Sequence, residues 1–396
     1  MAKLYIVTTM TQTTKSADLT ERASAVGTIA SEHAAWGDEH GRLADAVVNA
    51  LHDEGLFGMW VPRALGGSEL DPVESLRVIE NVAYGDPSAG WVLMAASLAI
   101  GTGAAYLGDS AVSQLFPSNA TRLPVIAGQG TRPGTAVPHK DGFLLSGSWS
   151  FASGIKHGTH IHTLGIIEGT GEPRIFVLPV EQVTLIDNWN VMGLRATGSI
   201  DYTIDSAFVP DAFTHFAVTD VPKRGGNLYL VGIVGFAAMC HSAWACGIGR
   251  RMLDELAENV RARGGRAGTQ STSESFLEGY AKAEGTYRAA RALVYETWGN
   301  VSKVLERGER PDVRQQSLIR LAMAHVTWAA HDAATFVYKS AGTTGLRAGT
   351  IQRLFRDMHA GTQHLIASPP VFRAVGRELA GLAPNATWRF VDLIDS

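Results

Sequence analysis

Near its C-terminus the chain reads Arg356-Asp357-Met358-His359-Ala360-Gly361-Thr362-Gln363-His364, four ionisable side chains in a region otherwise rich in Leu, Ile, Val and Phe. A charged group that leaves water must be paired or must do chemistry, and histidine exchanges a proton near neutral pH. The segment reads as one helix, on which His359 and His364 lie about 140° apart around the axis. Arg356-Asp357 is then a buried structural pair, His359 a support, and His364 the acid-base candidate.

Two further runs carry usable side chains. Gly147-Ser148-Trp149-Ser150-Phe151-Ala152-Ser153-Gly154 sets aromatic and hydroxyl groups at alternating strand positions before a glycine that admits close approach to the backbone. Trp189-Asn190-Val191-Met192-Gly193-Leu194-Arg195-Ala196-Thr197-Gly198-Ser199 gathers small and hydroxyl residues around one Arg. Neither has the GxGxxG or GxxxxGK spacing of a phosphate loop, so a Rossmann or P-loop site is not supported. The residue types suit a flat conjugated ligand, with aromatic walls and with hydroxyls and backbone amides for ring heteroatoms. His157, His160 and His162 form a denser cluster, and His160 and His162 share a strand face as metal ligands do. No carboxylate lies within that run, and no metal is expected.

The elements that position these runs follow from composition and period. A chain of 396 residues, 45% hydrophobic and 18% charged, is soluble and globular and long enough for two or three domains. Net charge is −4 without a long basic block, which speaks against nucleic acid and anionic membrane as partners. Cys240 and Cys246 form neither a disulfide framework nor a CxxC motif, the N-terminal apolar run is too short for a signal peptide, and a cytoplasmic protein is expected. The apolar stretches Trp91 to Leu107 and Leu228 to Gly249 are broken by glycines and by His241 and Ser242, and read as buried helices.

Residues 1–18 read as a flexible N-terminus, and 19–122 as a helical domain. In it Leu43, Val47, Val48 and Leu51 recur at helix spacing, Gly55 ends a helix, and Asp71-Pro72 and Asp86-Pro87 open two more. Residues 123–222 form an antiparallel β domain with strands near 125–128, 143–147, 162–167, 174–179 and 200–209. Residues 223–396 return to helical period in four long segments, 231–263, 273–307, 311–341 and 350–379, which fit a four-helix bundle. The fold class is α+β, multidomain.

This order, with the early Val61-Pro62-Arg63-Ala64-Leu65-Gly66-Gly67 loop, GSWSFASG, WNVMGLRATGS and RDMHAGTQH, resembles the acyl-CoA dehydrogenase fold across roughly residues 20 to 385. More closely it resembles the oxygenase components of two-component flavin monooxygenases. Many acyl-CoA dehydrogenases carry a catalytic Glu about nine residues beyond the RD pair, where this chain has Leu365-Ile366-Ala367. In the oxygenases a His stands slightly earlier, matched by His364. The resemblance implies reduced FMN or FAD supplied by a separate NAD(P)H:flavin reductase, O2 as co-substrate and a C4a-hydroperoxide. The product is a hydroxylated aromatic or polycyclic compound or an N-oxygenated amine.

The resemblance further implies that Ser153 donates a hydrogen bond to flavin N5 and that His364, with a pKa near the working pH, deprotonates the substrate. Trp149 and Phe151 would line the flavin, Arg195 and Thr197 its polar edge. Arg263, Gly342, Thr343 and Thr344 would reach its phosphate across a subunit interface in a homotetramer. His157 and Trp91 would border the substrate pocket. Ala99 stands where phenol hydroxylases of this group often place a His, which leaves the substrate open. Two readings remain beside this one: an acyl-CoA dehydrogenase with a base among Glu255, Glu258, Glu278 and Glu284, and a non-catalytic flavin-fold binding protein.

Overall fold

The computed structural model describes residues 2–264 and 273–395. Helix α1 (Ala2–His40) runs through the stretch read as a flexible terminus; no Pro or Gly precedes Gly27 to stop it. A short α2 (Asp45–Asp53) ends before Gly55, whose φ of 71° only a residue without Cβ adopts freely. Two Asp-Pro pairs then start helices. Asp71 accepts from Val73 N at 2.8 Å and opens α3 (Pro72–Gly85); Asp86 accepts from Ala89 N at 2.9 Å and opens α4 (Pro87–Tyr106). A two-turn α5 (Asp109–Leu115) closes this helical segment.

Seven strands follow: β1 (Ile126–His139), β2 (Gly142–Trp149), β3 (His160–Ile167), β4 (Pro173–Pro179), β5 (Thr184–Ile186), β6 (Asp201–Pro210) and β7 (Thr214–Phe216). They form one sheet in the order β5-β6-β2-β1-β3-β4-β7. Every neighbouring pair is antiparallel except β1 and β3, which run parallel. Strand β1 is far longer than 125–128, because its register breaks between Gln129 and Gly134 and then resumes. The edge strands β5 and β7, three residues each, are too short to show alternation and were not anticipated.

The C-terminal helices are α6 (Gly232–Ala262), α7 (Glu274–Glu306), α8 (Val313–Ala341), a single-turn α9 (Thr343–Leu346), α10 (Thr350–Gly361) and α11 (Pro369–Leu379). The span 350–379 is thus two helices joined by the turn Leu365–Ala367. Pro369 and Pro370 cannot sit inside a helix but fit the first turn of a new one. His364 consequently leaves the helix and stands at the break. A final hairpin, β8 (Ala386–Arg389) and β9 (Asp392–Asp395), is anchored by Arg320, which donates to Phe390 O at 2.6 Å and lies under the Trp388 ring.

Helices from both sides of the β segment share one hydrophobic core extending from Leu19 to Val375, while the sheet keeps its own around Trp149, Phe176 and Tyr202. Helix α4 and the helix containing α6 are long and apolar enough to cross a membrane, and most of each lies buried against other helices. Cys240 and Cys246 are free thiols in this core.

Candidate active site

The start of α4, the Phe151–Gly154 turn, the Leu194–Ser199 loop, the middle of α6 and the break after α10 meet at one place. Phe151 sits at a positive φ of 69° with its ring 66% exposed, unusual for a large aromatic without a ligand-facing role. Gly154, at φ 80°, lies against α4: a Cβ there would stand 2.9 Å from Val92 Cγ1. Its amide donates to Thr197 O at 2.9 Å, so the two loops are stitched together.

A line of hydrogen bonds crosses that junction. Trp91 Nε1 donates to Ser153 Oγ at 3.1 Å. Ser153 and Ser199 hydroxyl oxygens are 2.7 Å apart, those of Ser199 and Thr197 2.6 Å, and Thr197 donates to Leu194 O at 2.7 Å. Four contacts share four protons, one on the indole and one on each hydroxyl. The Leu194 carbonyl has none to give, so Thr197 fills the last contact, Ser199 the one before, and Ser153 the one before that. Any reversal leaves two oxygens facing each other at bonding distance without a proton. Ser153 therefore gives its proton to Ser199 and keeps one lone pair, where the resemblance implies a donor toward flavin.

Next to Ser153 lies a cluster of rings. Trp91 meets His364 at 5.7 Å, His241 at 5.6 Å and Trp244 at 5.0 Å between centroids, each nearly edge-on. His241 stacks on Trp244 at 5.4 Å. Gly361 permits this approach of α10 to α6, since a Cβ would lie 2.0 Å from the Trp244 ring. His364 is half-buried as a residue, and loss of water around its ring pushes its pKa down to about 4. That corrects the expected value near working pH: His364 is neutral there and a weak base. Its Nδ1 accepts a long bond from Ile366 N at 3.5 Å, which leaves the proton on Nε2. His241, 1% exposed, has both ring nitrogens without a partner among the described residues, and burial followed by repulsion from His364 holds its pKa well below the ordinary value.

Arg356 and Asp357 act as framework, though not as a pair with each other. Arg356 binds Asp38 at 2.7 and 3.2 Å and Met192 O at 2.6 Å. Asp357 accepts from Leu194 N at 2.6 Å and so holds the loop that carries Thr197 and Ser199. Burial, then the nearby Asp86, raises the Asp357 pKa to about 7; burial lifts Asp86 to about 6. His359 bonds Phe355 O at 2.7 Å and packs on Phe355 and His331, a supporting position.

Other anticipated residues lie elsewhere. Trp149 stacks on Tyr202 inside the sheet core and donates to Leu164 O, so it does not face a ligand. Ala99 is buried in α4, two turns beyond Trp91. Arg195 is exposed and its guanidinium has no partner among the described residues. His157, on the turn Ile155–His157, is half-buried, with Arg42, Asp45 and Lys156 as its charged neighbours. His160 bonds Thr159, and His162 is buried on the face that also carries His215; among the described residues no group of three ligand-type side chains could hold a metal ion. Arg263 donates to Thr344, beside Gly342 and Thr343, at the far end of α6. At the helical rise this is ~33 Å from His241.

Two residues of the cluster, His241 and Trp244, were not anticipated as site residues. Their signal was a lone His followed three residues later by Trp in an otherwise apolar, small-residue helix. The possible dehydrogenase bases are engaged differently. Glu284 is forked to Arg250 at 2.7 and 2.9 Å, which with Arg288 lowers its pKa to about 2 despite partial burial. Glu255 pairs with Arg251 and Glu278 with Lys282.

Helical segments around a central, mostly antiparallel sheet, with aromatic, hydroxyl and imidazole groups at their junction, define a flavoenzyme of the acyl-CoA dehydrogenase fold. The family models for the acyl-CoA dehydrogenase N-terminal domain and C-terminal domain match residues 17–116 and 239–369, together more than half of the chain. The chain belongs to this family, in its flavin-dependent monooxygenase branch. It is 27% identical to an indole-3-acetate monooxygenase of Pseudomonas putida over 88% of this chain and 90% of that protein. It is 26% identical to the flavin-dependent monooxygenase oxygenase subunit HsaA of Rhodococcus jostii over 83% and 89%. Among solved structures, XiaF from Streptomyces sp., in complex with FADH2 and glycerol, superposes with a TM-score of 0.84 at 21% identity, covering 95% of this chain and 98% of that one.

The enzyme is a flavin-dependent monooxygenase that uses reduced flavin and O2. The residues present fit that group: an exposed aromatic at Phe151, a hydroxyl with a free lone pair at Ser153, and buried unpaired imidazole nitrogens at His241.

Proposed function

We propose that this chain is the oxygenase component of a two-component monooxygenase acting on an aromatic, hydroxyl- or ring-nitrogen-bearing substrate, with reduced FMN or FAD delivered by a separate NAD(P)H:flavin reductase. The observation that carries this reading is the convergence of Trp91, Ser153 and His364 beside Leu365-Ile366-Ala367, where a dehydrogenase of this family would place its carboxylate. The indole-3-acetate monooxygenase named above, by its name an enzyme for an aromatic compound, supports an aromatic substrate.

Bound reduced flavin supplies the O2 activation and oxygen transfer. Phe151 and Trp91 would flank it, Ser153 would meet its ring edge, and Thr197 and Ser199 would hold Ser153 in place. A neutral His364 with its proton on Nε2 serves as a positioned hydrogen-bond donor toward a developing oxyanion rather than as a base toward a phenol. Trp91, Trp244 and His241 exclude water, which favours transfer to substrate over loss as hydrogen peroxide. The ~33 Å between His241 and the Arg263–Thr344 contact is too far for one chain to supply both ends of a flavin site. It supports an oligomer, read here as a homotetramer, in which Arg263, Thr343 and Thr344 serve a neighbouring subunit's cofactor. The two free thiols, Cys240 and Cys246, agree with a cytoplasmic enzyme.

The test is single turnover: protein loaded anaerobically with reduced FMN or FAD is mixed with 18O2 and a panel of phenols, indoles and polycyclic phenols. One 18O atom should appear in at least one product by mass spectrometry. Release of all label as hydrogen peroxide, with bleaching of bound oxidised flavin by acyl-CoA thioesters, would instead establish a dehydrogenase.

A further inference from the structure

Behind the turn that follows His364 lies a small apolar pocket. Ala238 of α6, Met323 of α8 and Ile366 of the Leu365–Ala367 turn, all buried, form its inner wall; the half-buried Val234, Phe390 and Val391 form its rim. The volume open to the centre of a water-sized sphere is about 10 Å³, room for one small molecule. Arg320 also lines it, but its guanidinium is committed to the Phe390 and Gln316 carbonyls at 2.6 and 3.1 Å, which fastens the β8–β9 hairpin at the rim. The wall is almost wholly hydrocarbon. A water molecule finds no set of polar partners there, so the pocket favours an apolar guest.

The inner wall adjoins the ring cluster. Ile366 N donates to His364 Nδ1 at 3.5 Å, and Ala238 precedes His241 by one helical turn, where side chains lie roughly 5–6 Å apart. One layer of side chains thus separates the pocket from the stacked imidazoles. The enzyme consumes O2, a small uncharged molecule that needs no hydrogen bonds and prefers an apolar surrounding to water. We infer that this pocket is an entry site for dioxygen, which collects there past Val234, Phe390 and Val391 and moves on past Ile366 to the ring cluster. The inference rests on the reading of that cluster as the reaction site. A port on this side lets the gas arrive while flavin and substrate fill the cleft at Phe151 and Ser153.

Xenon is the probe, because small dry cavities take it up as they would any apolar gas. Crystals of the full-length protein under xenon pressure should show a xenon atom between Ala238 and Ile366. In stopped flow, protein loaded anaerobically with reduced FMN or FAD is mixed with O2 at several concentrations, and xenon pressure at fixed O2 should slow flavin reoxidation about twofold or more. Val234→Phe narrows the rim and should lower the second-order rate constant with O2 at least about fivefold, while the Kd for reduced flavin stays within about threefold. Val391→Ala widens the rim and should not lower that rate constant.

A wild type that takes up no xenon, or a Val234→Phe protein that loses the xenon yet reoxidises at the wild-type rate, overturns the port while the flavin site stands. If neither reduced flavin binds although xenon enters the pocket, the flavin reading fails and the port falls with it. Should Val234→Phe not fold, competition on the wild type decides: reoxidation slowed by xenon supports the port, and reoxidation untouched by xenon overturns it.

Discussion

His241 in α6 and His364 at the break after α10, far apart in sequence, stack with ring centroids 5.1 Å apart and 29° between their planes. Two imidazoles this close cannot both carry charge in a dry site, and burial holds both pKa values down. The pair is a neutral, polarisable wall, and its two members differ in what they can be tested for.

His364→Ala should lower substrate oxygenation by about a hundredfold or more, the range typical of losing a positioned proton-transfer or hydrogen-bonding group. Flavin binding should persist, and the oxygen consumed should be recovered as hydrogen peroxide. Product yield and peroxide are measured per flavin oxidised; undiminished product yield would remove His364 from the site.

His241→Phe should separate function from stability. Two buried nitrogens without partners cost folding free energy, so an apolar ring of similar shape should stabilise the protein by about 1–2 kcal/mol. Coupled oxygenation should fall if the substrate or an oxyanion is what those nitrogens bind. A lower urea midpoint in the variant would mean that His241 is already satisfied within the native structure.

Acid should destabilise the protein through its buried histidines. His162, at about 3, and His215 and His364, at about 4, exclude protons that the unfolded chain takes up near 6.5. Their stabilising contribution is complete above pH 6.5 and is lost as pH falls toward their native values. Between pH 7 and 5 each costs about 2 kcal/mol. In His162→Gln the loss over that interval, from urea unfolding at both pH values, should shrink by about that amount; an unchanged slope would refute the assignment.

Asp357 carries the opposite sign. Its native pKa, about 7, lies above the ordinary 3.8, so its contribution is present below pH 3.8 and disappears as pH rises through 7. Its Oδ2 is buried without a partner and Asp86 lies near. Asp357→Asn keeps an oxygen for Leu194 N and removes the buried charge, so melting temperature should rise most at pH 8 and by less than half as much at pH 5. A drop at pH 8 would show that the carboxylate is needed ionised.

Part of this site was legible before folding. Asp71-Pro72 and Asp86-Pro87 announced two helix starts because capping is local chemistry between a side chain and amides two or three residues away. The break at His364 was missed, although Pro369-Pro370 signalled a new helix start, because helical period alone does not say where one amphipathic stretch ends. Strands β5 and β7 were missed because three residues on a sheet edge carry no pattern of their own.

The sequence by itself determined the order of helical, β and helical segments, the candidacy of Ser153, Trp91 and His364, and the absence of a carboxylate at Leu365-Ile366-Ala367. These are properties of residue type and spacing. Only the tertiary structure decided that Trp149 points into the sheet core, that His241 stacks on His364, and that Ser153 gives its proton away. Proton direction along a line of hydroxyls is fixed by its two ends, an indole on α4 and a carbonyl in the loop before β6. Those ends are 103 residues apart in sequence and meet only when the chain is folded.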